Sequence, residues 1–173
     1  MEVLQASMCL CLREERLIMT RRGGGRDARK LCRWMQSRCE AACRERDSER
    51  NKAYCELISL TGGHSGSEID KGRGNANILM SRLLRDASAP VAIASIDGGR
   101  KDNAIPRECT AQIIVAPDEA AAVKASIEQA AAEIAEEFKA SDPDLKLTVS
   151  EETDCSESAI SAKDSARVIA LIE

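Results

Sequence analysis

The alternation of hydrophobic and polar positions becomes regular at Tyr54 and predicts a β-α-β-β-α-β order over residues 54–152. Apolar residues at every second position indicate strands, and apolar residues at every third or fourth position indicate helices. The pattern predicts strands over 54–60, 90–96, 108–116 and 145–151, and helices over 75–87 and 118–140. This order is typical of the α+β ferredoxin-like fold, in which two helices cover one face of an antiparallel sheet. We therefore predict one such domain over 54–152.

The second predicted helix has the clearer apolar stripe. Asp118 lies where an N-cap is expected. The stripe, which we expect to face the sheet, consists of Val123, Ile127, Ala130, Ile134 and Phe138. Residues 153–173 are interpreted as the start of a further helix, with helical spacing from Ser161 to Ile172.

Residues 1–53 lack a sustained period and are interpreted as an irregular or weakly helical N-terminal appendage, with a possible helix over 27–46. This part has 13 Lys and Arg against 8 Asp and Glu, whereas residues 54–173 have 12 against 21. A basic arm can bind nucleic acid. Patterned aromatic residues and a binding motif are missing, so we expect no nucleic-acid partner. The alternative function is a small ferredoxin-like binding module with a basic arm, which is not an enzyme.

The eight cysteines do not have the spacing of a zinc finger. Cys55 and Cys109 fall at apolar-face positions of predicted strands, so we expect buried free thiols and a reducing, cytoplasmic compartment. The sequence has no apolar run of about 18 residues, so we expect no membrane span. A secretory signal is not expected either.

The single histidine of the chain, His64, lies in Leu60-Thr61-Gly62-Gly63-His64-Ser65-Gly66, between a predicted strand and a predicted helix. An imidazole in a glycine-rich turn is a candidate site residue. A hydrolytic metal site draws on several His, Asp or Glu ligands, so one histidine can form only part of such a site. The alternative is a turn histidine that is hydrogen-bonded to the backbone.

Three segments follow one another in the sequence: the His64 segment, Gly72-Arg73-Gly74-Asn75-Ala76-Asn77, and Asp97-Gly98-Gly99 with Asn103-Ala104-Ile105-Pro106-Arg107-Glu108. Together they resemble the lid (dimerisation) domain of aminoacyl-histidine dipeptidases, which are carnosinase-like co-catalytic zinc peptidases. The resemblance covers residues 54–173. It implies a zinc-dependent enzyme that hydrolyses Xaa-His dipeptides, with a lid that covers the active site and mediates dimerisation. It also implies two zinc ions, bound by a separate catalytic domain.

By the same resemblance, His64 would be the catalytic donor to the oxyanion and Asn103 would bind substrate. Asn103 could also be a turn-former only. The family's metal-binding segments have no counterpart here. Gly24-Gly25-Arg26-Asp27 faintly resembles the glycine-rich stretch that precedes the lid in the family, but the Arg- and Cys-rich residues between it and Lys52 do not, and a frameshifted reading of a parent gene is one hypothesis for this departure. We therefore expect a fragment that is inactive alone and binds no metal. Its expected partners are a dipeptide substrate in the parent enzyme and a second copy of the chain, with no membrane.

Overall fold

The computed structural model describes residues 8–13, 16–21, 51–99, 101, 103–152 and 159–172. Within these ranges the chain forms eight strands, three α-helices and one short 3-10 helix at Ile69–Lys71. The strands are β1 Met8–Arg13, β2 Arg16–Arg21, β3 Asn51–Ile58, β4 Gly63–His64, β5 Ala92–Gly98, β6 Ala104–Ile105, β7 Cys109–Val115 and β8 Lys146–Glu152. The helices are α1 Ala76–Arg85, α2 Ala120–Glu137 and α3 Ala162–Ile172.

The predicted ferredoxin-like sheet is confirmed. Strands β5, β7, β3 and β8 lie side by side in this order, and every neighbouring pair is antiparallel. Strand β3 is central, since Cys55 pairs with Ala111 of β7 on one side and with Val149 of β8 on the other. The first and third strands of the β-α-β-β-α-β order therefore occupy the middle of the sheet, as this fold requires.

Three helices pack on the sheet through one hydrophobic core. Helix α1 contacts both α2 and α3, while α2 contacts β8 and α3 contacts β5. The predicted stripe of α2 is confirmed, because its Val, Ile and Ala positions are buried and Phe138 packs against them. The two predicted helices are α1 and α2, and α3 joins them beside α1. Its place is fixed at β5, where Ile160 N donates to Ile93 O and Ile93 N donates to Ser165 Oγ.

The two helix starts differ in their capping. Asn75 caps α1, because its side-chain oxygen accepts hydrogen bonds from the amides of Asn77 and Ile78. The predicted Asp118 cap is wrong. Helix α2 begins one residue later, after Glu119, without a side-chain cap. A short acidic residue near a helix start predicts a cap only to within a residue or two.

Strands β1 and β2 form a hairpin that extends the sheet beyond β5. The sequence pattern predicts no strand in this region. Each of the two strands has only six residues, and no regular alternation of apolar and polar residues continues on either side of it. Strand β3 also begins at Asn51, three residues before the regular pattern. The possible helix over 27–46 lies outside the described residues.

The prediction of buried free thiols is confirmed for Cys55 and Cys109. Burial raises the pKa of the Cys55 thiol to about 11, so it stays protonated at neutral pH. Among the described helices, none is long and apolar enough to cross a membrane.

Candidate functional site

A two-stranded ribbon brings the two predicted site residues together. Strand β4 pairs with β6, so that His64 lies opposite Ala104, and the amide of Ser65 donates to the Asn103 carbonyl at 3.0 Å. His64 and Asn103 are both exposed. The turn that follows β3 and the turn that precedes β6 therefore form one surface, which is the candidate site.

The hydrogen bonds of the His64 ring determine its tautomer. Its Nδ1 accepts from the backbone amides of Gly66 at 3.0 Å and Ser67 at 3.2 Å. A ring nitrogen that accepts from two N–H groups carries a lone pair, so in the neutral ring the proton is on Nε2. The exposed imidazole thus has a fixed N–H donor. His64 is therefore hydrogen-bonded to the backbone of its own turn, as in the alternative interpretation of the sequence, but these hydrogen bonds involve only Nδ1.

The backbone of the turn is held by an ionic group that we call the clamp, formed by Glu68, Lys71 and Arg73. Glu68 Oε2 accepts from the His64 amide at 2.9 Å, and Oε1 accepts from Lys71 Nζ at 2.7 Å. Arg73 Nη1 lies 3.2 Å from Glu68 Oε1 and donates to the Gly62 carbonyl. The Lys71 ammonium, with the His64 amide, lowers the pKa of Glu68 to about 2. At neutral pH the Glu68 carboxylate of the clamp is therefore ionised.

Gly63 lies against the clamp. It has a φ of +153°, and a Cβ atom there would lie 2.6 Å from Arg73 Nη1 and 2.8 Å from Glu68 Oε2. Because both atoms are the ends of flexible side chains, a β-carbon would shift them, whereas the backbone strain at this φ would remain. The position before His64 therefore favours glycine chiefly for its conformation, and a side chain there would disturb the clamp.

A buried carboxylate fastens the same segment to the end of α2. Asp142 is 1% exposed and accepts from the Thr61 amide at 2.7 Å through Oδ1 and from the Gly74 amide at 2.8 Å through Oδ2. Burial raises the pKa of Asp142, but the bonds from Gly74, Thr61 and Ser141 outweigh it and lower the pKa below its usual value. Asp142 is thus a buried anion whose two oxygens are both hydrogen-bonded.

The Asn103 side of the site is fixed by the residues that follow it. Ile105 and Pro106 are buried, and the carbonyl of Pro106 accepts from the Ala76 amide at 3.1 Å. Arg107 Nε donates to the Leu60 carbonyl at 3.3 Å. Pro106 therefore helps to hold this turn, because its carbonyl is hydrogen-bonded to the start of α1.

Sequence reasoning identified His64 and Asn103 but missed the residues that hold them. Lys71 and Arg73 both contact Glu68. Asp142 lies in the polar run Ser141-Asp142-Pro143-Asp144, which by itself indicates only the end of a helix. The spacing of Glu68 and Lys71, three residues apart, was the one signal of the clamp in the sequence. The contacts of Asp142 span 81 and 68 residues, and no local pattern could show them.

The candidate site combines a hydrogen-bond donor on His64 with the polar side chain of Asn103. Among the described residues, no group of three His, Cys, Asp or Glu side chains is placed to hold a metal ion. These residues can therefore orient and polarise a bound group, but they offer no set of ligands for zinc.

Comparison with known proteins places this geometry in a family. A family model described as the peptidase dimerisation domain matches residues 56–142, and this range includes His64, the clamp, Asn103 and Asp142. The chain belongs to this family. The resemblance to the dimerisation domain of peptidases is therefore confirmed, and the matched range contains the residues of the candidate site.

Two relatives are similar over part of their length. The cytosol non-specific dipeptidase of Escherichia coli is 45% identical over 73 residues, which are 41% of this chain and 15% of that protein. The crystal structure of the aminoacylhistidine dipeptidase from Vibrio alginolyticus superposes with a TM-score of 0.65 at 25% identity, over 73% of this chain and 26% of that chain. The chain thus spans only a small part of the dipeptidases that it matches.

Proposed function

We propose that this dimerisation domain is the lid of a cytoplasmic dipeptidase that hydrolyses Xaa-His dipeptides, and that His64 donates a hydrogen bond to the oxyanion. The observation that carries the proposal is the fixed tautomer of His64, with Nδ1 bound to two backbone amides. The identity to a cytosolic dipeptidase and the likeness to an aminoacylhistidine dipeptidase support it.

The role of His64 follows from charge development during peptide hydrolysis. When a nucleophile adds to the scissile carbonyl, negative charge accumulates on its oxygen. A preorganised N–H donor stabilises this charge more than it stabilises the neutral carbonyl. The Nε2–H of His64 meets this requirement because the Gly66 and Ser67 amides and the clamp hold the turn before substrate arrives.

Asn103 is proposed to contact the backbone or carboxylate of the dipeptide. Its side-chain amide can donate and accept, and the β4–β6 ribbon keeps it beside His64. One ribbon would then present a donor for the reacting oxygen and a second polar group for the substrate.

Two zinc ions, the cofactor implied by the resemblance, do not fit the described residues, because these residues offer no group of metal ligands. We place the metal ligands and the nucleophile in a catalytic part of a longer protein. In this proposal the present chain contributes the lid, pairs with a second copy, and does not hydrolyse peptides by itself.

The proposal is tested in a chimera in which residues 56–142 replace the matching segment of the Escherichia coli dipeptidase. The His64→Ala variant of this chimera should lose about 100- to 1,000-fold in kcat on an Xaa-His dipeptide with little change in KM, because the lost donor acts on the transition state. The Asn103→Ala variant should mainly raise KM. Lys139→Ala, at an exposed position of the α2 end, is the control and should match the parent chimera.

An unchanged kcat in His64→Ala, in an active chimera, would refute the donor role. Sedimentation of the purified chain tests the pairing, with a dimer expected at micromolar concentration. If the chain is monomeric and instead binds RNA or DNA in a salt-dependent way, the binding-module alternative would replace the lid.

A further inference from the structure

We infer that Asp142 is a positioning residue for His64: its one carboxylate holds both ends of the segment from Thr61 to Gly74 against the end of helix α2. The inference rests on the proposed role of His64. It concerns how the donor is kept in place, and not the chemistry of the donor itself.

The geometry supports this role directly. Oδ1 of Asp142 accepts from the Thr61 amide at 2.7 Å and Oδ2 accepts from the Gly74 amide at 2.8 Å. Thr61 precedes the glycine turn, and Gly74 follows the clamp residue Arg73. Because both oxygens belong to one rigid planar group, the two ends of the segment are held at a fixed separation.

The carboxylate is itself held rigidly. The Asp142 amide donates to the Phe138 carbonyl at 2.7 Å, and the Leu145 amide donates to the Asp142 carbonyl at 3.1 Å. A parallel bond joins the Thr61 hydroxyl to the Ser141 carbonyl at 3.0 Å. Helix α2 packs into the main core, so its end is a stable support for the segment that carries His64.

The chemistry of the contact requires an acid at this position. Two backbone N–H donors point at the two oxygens, and only a carboxylate accepts on both sides. An asparagine of the same shape would accept from one amide and turn its NH₂ group towards the other N–H. The Asp142→Asn variant therefore breaks one of the two attachments with minimal change in volume.

The test uses the whole chain, isotopically labelled, and nuclear magnetic resonance of its folded state. In Asp142→Asn we expect the Thr61 or Gly74 amide to exchange at least about tenfold faster, since a hydrogen bond to a charged group is lost. We also expect the Nδ1 chemical shift of His64 to move towards that of a mixture of tautomers. Asp144→Asn, at an exposed position of the same connection, removes the same charge and should leave both signals unchanged.

The Nδ1 chemical shift of His64 distinguishes a positioning role of Asp142 from a purely structural one. If Asp142 only stabilises the fold, Asp142→Asn will lower the unfolding midpoint and leave the His64 tautomer of the folded molecules as it was, and the inference is overturned. If Asp142→Asn does not fold, Thr61→Val decides, because it keeps the acid but removes the Thr61 hydroxyl, which bonds to the Ser141 carbonyl and also acts on the Asp142 carboxylate. In Thr61→Val, a change of the His64 Nδ1 chemical shift in the same direction, smaller than the change expected for Asp142→Asn, supports the inference. An unchanged Nδ1 chemical shift overturns it.

These measurements need no catalytic partner, so their outcome is independent of the chimera. A mobile His64 in Asp142→Asn together with full activity of His64→Ala would keep Asp142 as a positioning residue and remove the proposed donor role. Failure of the tautomer experiment alone would leave the donor role intact.

Discussion

Gly63 combines a φ that favours glycine with close contact to the clamp, and it can be compared with a glycine that has no such contact. Gly63 and Gly72 both have positive φ, at +153° and +63°. A Cβ at residue 72 would have no heavy atom within 4 Å, whereas a Cβ at residue 63 would overlap Arg73 and Glu68. The pair Gly63→Ala and Gly72→Ala therefore compares a position that has both a φ favouring glycine alone and a contact to the clamp with a left-handed position that has neither.

The expected magnitudes follow from these contacts. Gly72→Ala should cost about 1 kcal/mol, the usual cost of a left-handed residue other than glycine. Gly63→Ala should cost about 3 kcal/mol, because backbone strain of roughly 1–3 kcal/mol at a φ that only glycine adopts readily is added to the displacement of the Arg73 and Glu68 side-chain ends. For a domain of roughly 100 residues these values correspond to losses in Tm of about 5 °C and about 15 °C.

Urea and thermal unfolding of the two variants and the parent chain give the comparison. The His64 amide signal in a nitrogen-proton correlation spectrum should also move in Gly63→Ala and stay in Gly72→Ala, since the Glu68 carboxylate accepts from that amide. Equal destabilisation by the two variants, with the His64 signal unmoved, would show that the clamp does not confine Gly63 and would refute the steric argument.

Three further results are expected. Asn75→Ala should lower the free energy of unfolding by about 1 kcal/mol in urea, because the α1 cap bonds are lost; an unchanged midpoint would contradict this. The pKa of Glu68 is depressed from 4.5 to about 2, so the clamp is fully present above pH 4.5 and is lost as the pH falls towards 2. A pH titration of the His64 amide should show this step, and Glu68→Gln should abolish it; a step that persists in that variant would assign it to another group. Purified chain should contain no stoichiometric zinc by elemental analysis and should not hydrolyse an Xaa-His dipeptide with added zinc; stoichiometric zinc together with turnover would refute the placement of the metal ligands outside this chain.

Elements of the fold could be predicted from the sequence where the residues with a regular apolar spacing are also the residues buried in the core. In α2 the apolar stripe at three- and four-residue spacing is the buried face, and in β3 the alternating Ala53, Cys55 and Leu57 are buried. Each element buries a periodic face, so its type can be predicted from its own residues. The place of α3 beside α1 could not be predicted this way, because it depends on bonds between Ile160, Ser165 and Ile93 across the fold.

The same distinction between local sequence signals and long-range contacts applies to the candidate site. His64 and Asn103 are conspicuous in the sequence, one as the single histidine and the other in a proline-containing turn. Their proximity depends on the β4–β6 ribbon, which has only two residues in each strand and hence no periodic signal. Sequence analysis could therefore suggest both residues, whereas their arrangement as neighbours required the three-dimensional structure.

The residues that bond to the glycine-rich turn explain how such a turn can have one defined conformation. Glycines permit the backbone path but do not fix it, and a turn with nothing else would sample many conformations. Here Glu68 binds the His64 amide, Arg73 binds the Gly62 carbonyl, and Asp142 holds both ends of the segment. These bonds make the ordering of the turn part of the folding of the domain. A donor that is ordered before substrate binds adds no ordering cost at the transition state, which is the physical requirement for oxyanion stabilisation.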